Sequence, residues 1–354
     1  MPTKPTAAGG LVMPAEWDPH DATWIAWPHN LADWPGKFAP IPWVYCEIVR
    51  QLRRSETVRI LVDDAAGEKR ARAALRKAAV PLDGVALHRI RTDRVWARDF
   101  GPMFALAGDG SARVVDWRFN AWAKYDDWKH DDRVAGRAAK ALGVPVVSPL
   151  HDGRRLVLEG GSIDVDGAGL LLTTEECLLS TTQERNPGLS RADYEEAFRA
   201  YLGVRKVLWL GEGIVGDDTH GHVDDITRFV GPRTIVTAIE PDPTDPNHAK
   251  LEDNRRRLSR MTDLRGRPFD VVPLPMPAPV VFGGRRLPAS YANFYVGNRV
   301  VLVPTFNDPR DRVALDTLAR LFPGRDVVGI HAVDLVWGLG TLHCLTQQQP
   351  SARG

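Results

Sequence analysis

The chain has 354 residues, with 46 basic and 45 acidic side chains and a formal net charge of +1. This balance argues against nucleic acid as the main partner, because phosphate binding needs a clustered basic excess. No apolar run approaches the ~18 residues of a membrane helix, and the first ten residues lack the apolar segment of a signal peptide. The three cysteines are too few for a disulfide framework. We therefore expect a soluble, cytoplasmic protein.

Strand-like and helix-like segments alternate along the chain, which predicts an α/β fold. Apolar runs predict strands at residues 23–27, 58–62, 85–90, 113–117, 170–174, 207–210, 234–239 and 300–304. Helical periodicity predicts helices at about 43–53, 66–78, 131–142, 191–202, 247–262 and 310–321. We expect a single domain over residues 1–354, with frayed ends at 1–10 and about 350–354.

A weak internal repeat is also present. Glycine stands just before an apolar run at four turns, which are Gly110, Gly167, Gly231 and Gly297. A period of about 60 residues is consistent with repeated hairpin-plus-helix units. The strand entering each turn begins with polar residues, namely Arg98 and Asp99, Glu159, His222 and Asp224, and Asn293. In a radial arrangement these residues would meet on one axis; the alternative is a chance recurrence of ββα units.

The clearest candidate for chemistry is the run at residues 216–225 (GDDTHGHVDD). Side chains two apart on a strand point to the same face, so His222 and Asp224 can share a pocket. A buried histidine can act as general acid and base while the carboxylate binds a cation. The alternatives are a metal site built from His220, His222 and Asp224, and a purely structural role.

A candidate nucleophile follows a glycine-rich stretch at residues 338–344 (GLGTLHC). Cys344 can act as a nucleophile if the fold brings a histidine to it, although most lone cysteines are core residues. Cys46 lies in a helical pattern and Cys177 follows two glutamates, so neither is predicted to be a nucleophile.

Two further segments place a carboxylate beside a strand or beside glycines. They are residues 96–102 (WARDFGP), which contain Asp99, and residues 158–162 (LEGGS), which contain Glu159. Adjacent glycines allow close approach of backbone or ligand. A turn with a solvated charge is the alternative for each segment.

Nine short motifs extend over most of the chain. They are residues 13–17 (MPAEW), 23–28 (TWIAWP), 98–102 (RDFGP), 119–122 (FNAW), 159–162 (EGGS), 173–178 (TTEECL), 221–224 (GHVD), 290–294 (SYANF) and 343–348 (HCLTQQ). Their order and spacing resemble the agmatine deiminase family, which includes bacterial-type peptidylarginine deiminases, within the guanidino-modifying pentein superfamily. The resemblance implies a five-bladed α/β propeller of pseudo-symmetric ββαβ units around a central active site.

The resemblance also implies a role for six residues. Cys344 would attack the guanidinium carbon, and His222 would protonate the departing ammonia and then activate water. Asp99 and Asp224 would hold the guanidinium, Glu159 would orient the site and hydrogen-bond His222 or the substrate, and Trp96 would line the pocket. No metal or organic cofactor is implied, and the expected partner is a small guanidinium substrate.

These residue types suit that chemistry. A guanidinium with a pKa above ~12 stays charged, so carboxylates that accept two parallel hydrogen bonds are suited to bind it. Its carbon is a poor electrophile, which favours a thiolate nucleophile and a thiouronium intermediate.

The substrate is less well determined, because the chain departs from the family's agmatine enzymes at His220, Leu339, Thr341 and residues 123–128. Agmatine, converted to N-carbamoylputrescine and ammonia in polyamine and putrescine biosynthesis, is the first expectation. Peptidyl-arginine, free arginine or another small guanidine are alternatives. So are an amidinotransferase on the same scaffold and a non-catalytic binding protein. A homo-oligomer is one of the expected assembly states.

Overall fold

The structure, a computed structural model, describes residues 10–352 and contains the predicted α/β alternation. Its α-helices are Ile41–Leu52, Ala65–Lys77, Ala97–Phe100, Val134–Leu142, Glu175–Leu179, Arg191–Leu202, His248–Leu258, Arg310–Leu321 and Leu342–Leu345. Most of the residues expected to fray lie outside the described range, although Gln347–Pro350 form a buried strand. Among residues 10–352, no helix combines the length and apolarity needed to cross a membrane.

Five sheets in this part of the chain share one topology, in which the first strand is antiparallel to the second and the second is parallel to the third. Their strands are Met103–Leu106, Ala112–Val115 and Val146–Val147; Asp164–Val165, Leu170–Thr174 and Lys206–Leu210; Thr227–Gly231, Thr234–Ile239 and Asp270–Pro275; Tyr295–Val296, Val300–Thr305 and Asp326–His331; and Gln347–Pro350, His20–Ala26, Thr57–Val62 and Val85–Arg89. Two small hairpins pair Leu150–His151 with Arg154–Arg155 and Val281–Phe282 with Arg285–Arg286.

A helix connects the second and third strands of every sheet, so each sheet belongs to one ββαβ unit. The central strands are rich in β-branched and leucine side chains because both of their faces are covered. The helix Arg191–Leu202 begins with a capping box, in which the Ser190 and Asp193 side chains accept hydrogen bonds from each other's backbone amides. The fifth unit joins the two ends of the chain, since Gln347–Pro350 pairs with His20–Ala26.

One-turn segments before the first strands carry the candidate polar residues. Asp99 lies in Ala97–Phe100, Asp224 in the 3-10 turn Val223–Asp225, and Cys344 in Leu342–Leu345. Glu159 and Asn293 occupy the corresponding places in the other two units. The repeat thus brings one polar residue from each unit to an equivalent position.

The expectation that His222 and Asp224 lie on a strand was wrong. The strand begins only at Thr227, and residues 223–225 form a 3-10 turn closed by Ile226 N donating to Val223 O at 3.0 Å. The two side chains still lie close together, because the backbone turns at residues 223–225 and does not continue as an extended strand.

The tryptophan-rich N-terminal part packs against the site from behind. Trp34 is fully buried, its ring lies 5.6 Å from that of Trp96, and its Nε1 donates to Leu335 O at 2.8 Å. Trp24 is also fully buried. These contacts fix the position of Trp96, which forms part of the wall of the site.

Candidate active site

Cys344 lies in a one-turn helix, and its sulfur faces polar side chains from two other ββαβ units. Asn293 Nδ2 donates to Cys344 Sγ at 3.1 Å, and Asp224 Oδ2 lies 3.8 Å from the same sulfur. Burial, reinforced by the negative charges of Asp224 and Asp225, raises the pKa of the Cys344 thiol well above its usual range. These surroundings therefore disfavour the thiolate form of Cys344.

His222 is the cation at the centre of the site. Its Nδ1 lies 3.9 Å from both Asp99 Oδ1 and Asp224 Oδ1, and its Nε2 lies 3.7 Å from Glu159 Oε2. Burial by itself lowers the pKa of His222, but Asp99, Cys177 and Glu159 together raise it well above its usual range. The imidazole is therefore held in its protonated form.

The two carboxyl groups on either side of His222 have opposite pKa shifts. Burial and the neighbouring carboxylates Asp224 and Glu159 raise the pKa of Asp99 to about 6, although Trp122 Nε1 donates to it at 2.9 Å. Burial also disfavours the charged form of Glu159, but Arg185 at 3.1 Å and His222 lower its pKa to about 2. Glu159 is thus permanently ionised, while Asp99 titrates near neutrality.

Gly161 occupies the space between these side chains. Its backbone N donates to Asp99 Oδ1 at 3.0 Å. A Cβ at this position would lie 2.5 Å from His222 Nδ1 and 3.0 Å from both Asp99 Oδ1 and Asp224 Oδ2. Gly161, the second glycine of the EGGS motif, is therefore required because a side chain at this position would clash with His222, Asp99 and Asp224.

A buried chain of charges supports Asp224 from behind. His343 Nδ1 lies 2.6 Å from Asp224 Oδ2, and His343 Nε2 lies 2.7 Å from Glu16 Oε2. Arg98 and Arg228 donate to the same Glu16 oxygen at 3.1 and 3.0 Å. Both ring nitrogens of His343 thus face a carboxylate. One oxygen of Asp224 is thereby occupied, and Oδ1 has no hydrogen-bond partner.

A cavity of about 240 Å³ leads to Cys344. Asp99, Trp96 and Cys344 line its inner end, and Arg94 and Asp218 are among the residues that line the rest. Further lining residues are Ala32, Asp33, Trp122, Tyr125, Thr219, Gly338, Leu339 and Gly340. Trp96 therefore lines the pocket, as the sequence predicted, and Leu339 from the departing positions lines it too.

The predicted site residues come together, whereas the alternative metal set does not. The ring of His220 lies against Ser180 Oγ at 3.1 Å and Glu176 at 3.7 Å, and not beside His222. Within residues 10–352, the groups spaced to hold a metal are Glu159, Cys177 and His222, and Asp224, Asp225 and Cys344. His220 belongs to neither.

Four site residues were given no role in the sequence analysis. They are Glu16, Cys177, Arg185 and His343. The last three lie against predicted site residues, and Glu16 contacts His343. Glu16 and His343 stand inside the motifs at residues 13–17 and 343–348, and Cys177 inside TTEECL, so motif membership was the available signal. Arg185 lies outside every motif. Cys46, by contrast, is remote in Ile41–Leu52, and burial raises the pKa of its thiol to about 11.

Residues 12–350 match the family model of the Porphyromonas-type peptidyl-arginine deiminases. Agmatine deiminases from Ectopseudomonas mendocina and Pseudomonas aeruginosa (strain LESB58) are 36% and 37% identical, over 98% and 99% of this chain and 97% and 99% of theirs. The chain belongs to the family of Porphyromonas-type peptidyl-arginine deiminases, which it shares with these agmatine deiminases. The solved agmatine deiminase of Enterococcus faecalis superposes with a TM-score of 0.89 at 33% identity, covering 97% of both chains. The family predicted from the motifs is thus confirmed.

The contacts of Gly161 lead to a prediction. Gly161→Ala would force apart the groups around His222, so we expect ammonia release from a guanidinium substrate to fall at least ~100-fold, the scale of a 1 Å misplacement. The matched control is Gly136→Ala, whose added Cβ would meet no atom closer than 3.8 Å. Steady-state kinetics with a thermal melt of each variant make the comparison. Parent-level kcat/KM in Gly161→Ala would contradict this account of the glycine.

Proposed function

We propose that this protein hydrolyses the guanidinium group of a small substrate, with agmatine as the first candidate and N-carbamoylputrescine and ammonia as the products. The observation that carries the proposal is that Cys344 and Asp99 line one cavity, while Asp224 lies 3.8 Å from the Cys344 sulfur and His222 lies 3.9 Å from both aspartates. Relatives named agmatine deiminase, similar over nearly the whole chain, support the choice of substrate.

The carboxylates supply the binding site for the guanidinium. Asp99 and Asp224 flank the space in front of Cys344, and Asp224 Oδ1 and Glu159 Oε2 are buried without a hydrogen-bond partner. A buried acceptor left unpaired costs roughly 1–3 kcal/mol, so a planar cation that donates to these oxygens gains affinity from satisfying them.

The bound cation also activates the nucleophile. The pKa of Cys344 is raised by burial and by nearby negative charge, and a guanidinium held between Asp99 and Asp224 offsets that charge. The Cys344 thiol thereby loses its proton to solvent, and the resulting thiolate attacks the guanidinium carbon, forming a C–S bond. His222 gives its proton to the departing nitrogen, which leaves as ammonia, and a thiouronium ester remains on Cys344.

Hydrolysis completes the cycle. His222, now neutral, accepts a proton from water, and the resulting hydroxide attacks the thiouronium carbon. The C–S bond breaks and the thiolate of Cys344 leaves. The hydroxyl proton of the adduct passes to this thiolate, which restores the thiol and leaves a neutral ureido product that carries the new oxygen. Glu159, ionised and anchored by Arg185, orients His222 through both half-reactions. These steps require no metal or organic cofactor.

The dimensions of the cavity favour a small substrate. Its volume of about 240 Å³ lies below the ~300–1,000 Å³ that is usual for drug-sized ligands. Asp218 lines the same cavity, and its carboxylate accepts hydrogen bonds from Lys124, Tyr125 and Arg285. A peptide that ends in arginine would need more room than this.

We also infer that the five ββαβ units close into a five-bladed propeller with Cys344 near its axis. Pairing of Gln347–Pro350 with His20–Ala26 joins the chain ends in one unit, and the one-turn segments of different units touch. Arg98 Nε, for example, donates to His343 O at 3.3 Å. A cytoplasmic location and a homo-oligomeric state stay predictions.

The first test is a colorimetric ureido assay on agmatine, free arginine, a peptide that ends in arginine and small guanidines. We expect product from agmatine with the parent protein, and a loss of at least ~1000-fold in Cys344→Ala, because a covalent step is removed. Parent-rate ammonia release by Cys344→Ala would contradict the mechanism. Transfer of the amidino group to an added amine, without ureido product, would identify an amidinotransferase instead.

A second test uses pH. Asp99, with a pKa of about 6, must be ionised to bind a cation, so kcat/KM should rise as pH increases through about 6. It should fall again above the raised pKa of His222, because the proton donor is then lost. The profile of kcat/KM for agmatine measures both limbs. An acid limb centred near the ordinary aspartate pKa of ~3.9 would contradict the role of Asp99.

A further inference from the structure

The carboxylate of Asp218, on the wall of the cavity that leads to Cys344, is already occupied by this chain's own groups. Lys124 Nζ lies 2.7 Å and Arg285 Nη2 3.0 Å from its Oδ1, and the Tyr125 hydroxyl donates to its Oδ2 at 2.5 Å. The Asp218 side chain is only 9% exposed. Two cations and a phenol thus share one carboxylate, which leaves an excess of positive charge there.

The neighbouring charges of the cavity are likewise paired. Arg94 lies 3.2 Å from Asp33 and 2.9 Å from Asp127, and its guanidinium covers the ring of Tyr125. Among the described residues that line the cavity away from Cys344, the carboxylates are Asp33 and Asp218, and both already have cationic partners. Asp33 has no exposed side-chain surface, which leaves Asp218 as the carboxylate that a ligand can approach. A substrate ammonium at Asp218 must therefore displace or share a bond that the protein makes to itself.

Lys124 is the partner best suited to be displaced. Its side chain is 38% exposed, and its ammonium has the same charge and hydrogen-bonding capacity as a primary amine on a substrate's tail. Arg285 is 47% exposed, so exposure does not separate the two; it differs because its planar guanidinium is larger than an alkylammonium and comes from the separate hairpin strand Arg285–Arg286. An alkylammonium can thus replace the ammonium of Lys124 at Asp218 one for one.

We propose that Lys124 competes with the substrate's distal ammonium for Asp218, and so determines specificity at the outer end of the cavity. The proposal rests on the proposed function. Lys124 weakens the binding of guanidines with an ammonium tail relative to guanidines of equal length with a neutral tail.

The test compares agmatine with n-pentylguanidine, which replaces the ammonium by a methyl group. Lys124→Met keeps the apolar stem beside Tyr125 and removes the charge. We expect the KM of agmatine, relative to that of n-pentylguanidine, to fall about fivefold, the scale of a partly exposed ion pair. Lys124→Arg keeps a cation and should retain the parent ratio. Lys250→Met is the matched control, because Lys250 is 30% exposed and pairs with Glu212 at 2.9 Å.

Calorimetric titration of both guanidines into the Cys344→Ala protein, with and without Lys124→Met, measures the same ratio without turnover. A relative affinity for agmatine that stays unchanged or falls in Lys124→Met would overturn the proposal, since Lys124 would then organise Asp218 instead of competing for it. Such a result, with Cys344-dependent turnover intact, leaves the proposed function standing. Failure of the parent to release ammonia from any guanidine would instead overturn the proposed function.

Discussion

The site depends on a buried excess of negative charge around one imidazole. Asp99, Asp224 and Glu159 each place an oxygen within 4 Å of His222, and all four side chains are almost fully buried. His222 offsets part of this charge and Arg185 another part. The charge that remains disfavours ionisation of Cys344 and favours a cation in front of it. Affinity for guanidinium and activation of the thiol therefore have the same physical origin.

The same constraint explains why distant parts of the chain meet behind the site. Asp224 can keep its position beside Cys344 only if its second oxygen is satisfied, and His343 does this while bonding Glu16 from the N-terminal segment. Arg98 and Arg228 in turn compensate Glu16. Removing one charged member of such a buried network leaves its partners without a counter-charge, which lowers the free energy of unfolding by several kcal/mol. Fold and chemistry are thus coupled through one set of charges.

The sequence predicted the α/β class and the family, because motif order survives where single residues are ambiguous. The roles of the six candidate residues stay predictions. The sequence pattern placed His222 and Asp224 on a strand, although the chain forms a 3-10 turn there, since periodicity cannot separate a short turn from the strand that follows it. Glu16 and His343 were missed because their roles arise from contacts between units far apart in sequence, and Arg185 because no motif contains it. The pairing of Lys124 with Asp218 is equally invisible without coordinates.

The central claim is that Cys344 becomes covalently attached to the substrate carbon. Acid quenching during turnover of agmatine, followed by intact-mass analysis and peptide mapping, tests it most directly. The account predicts a transient adduct with the mass of substrate minus ammonia, located on Cys344 and absent from Cys344→Ala. Full turnover without an adduct, or an adduct mapped to buried Cys177 instead, would contradict it.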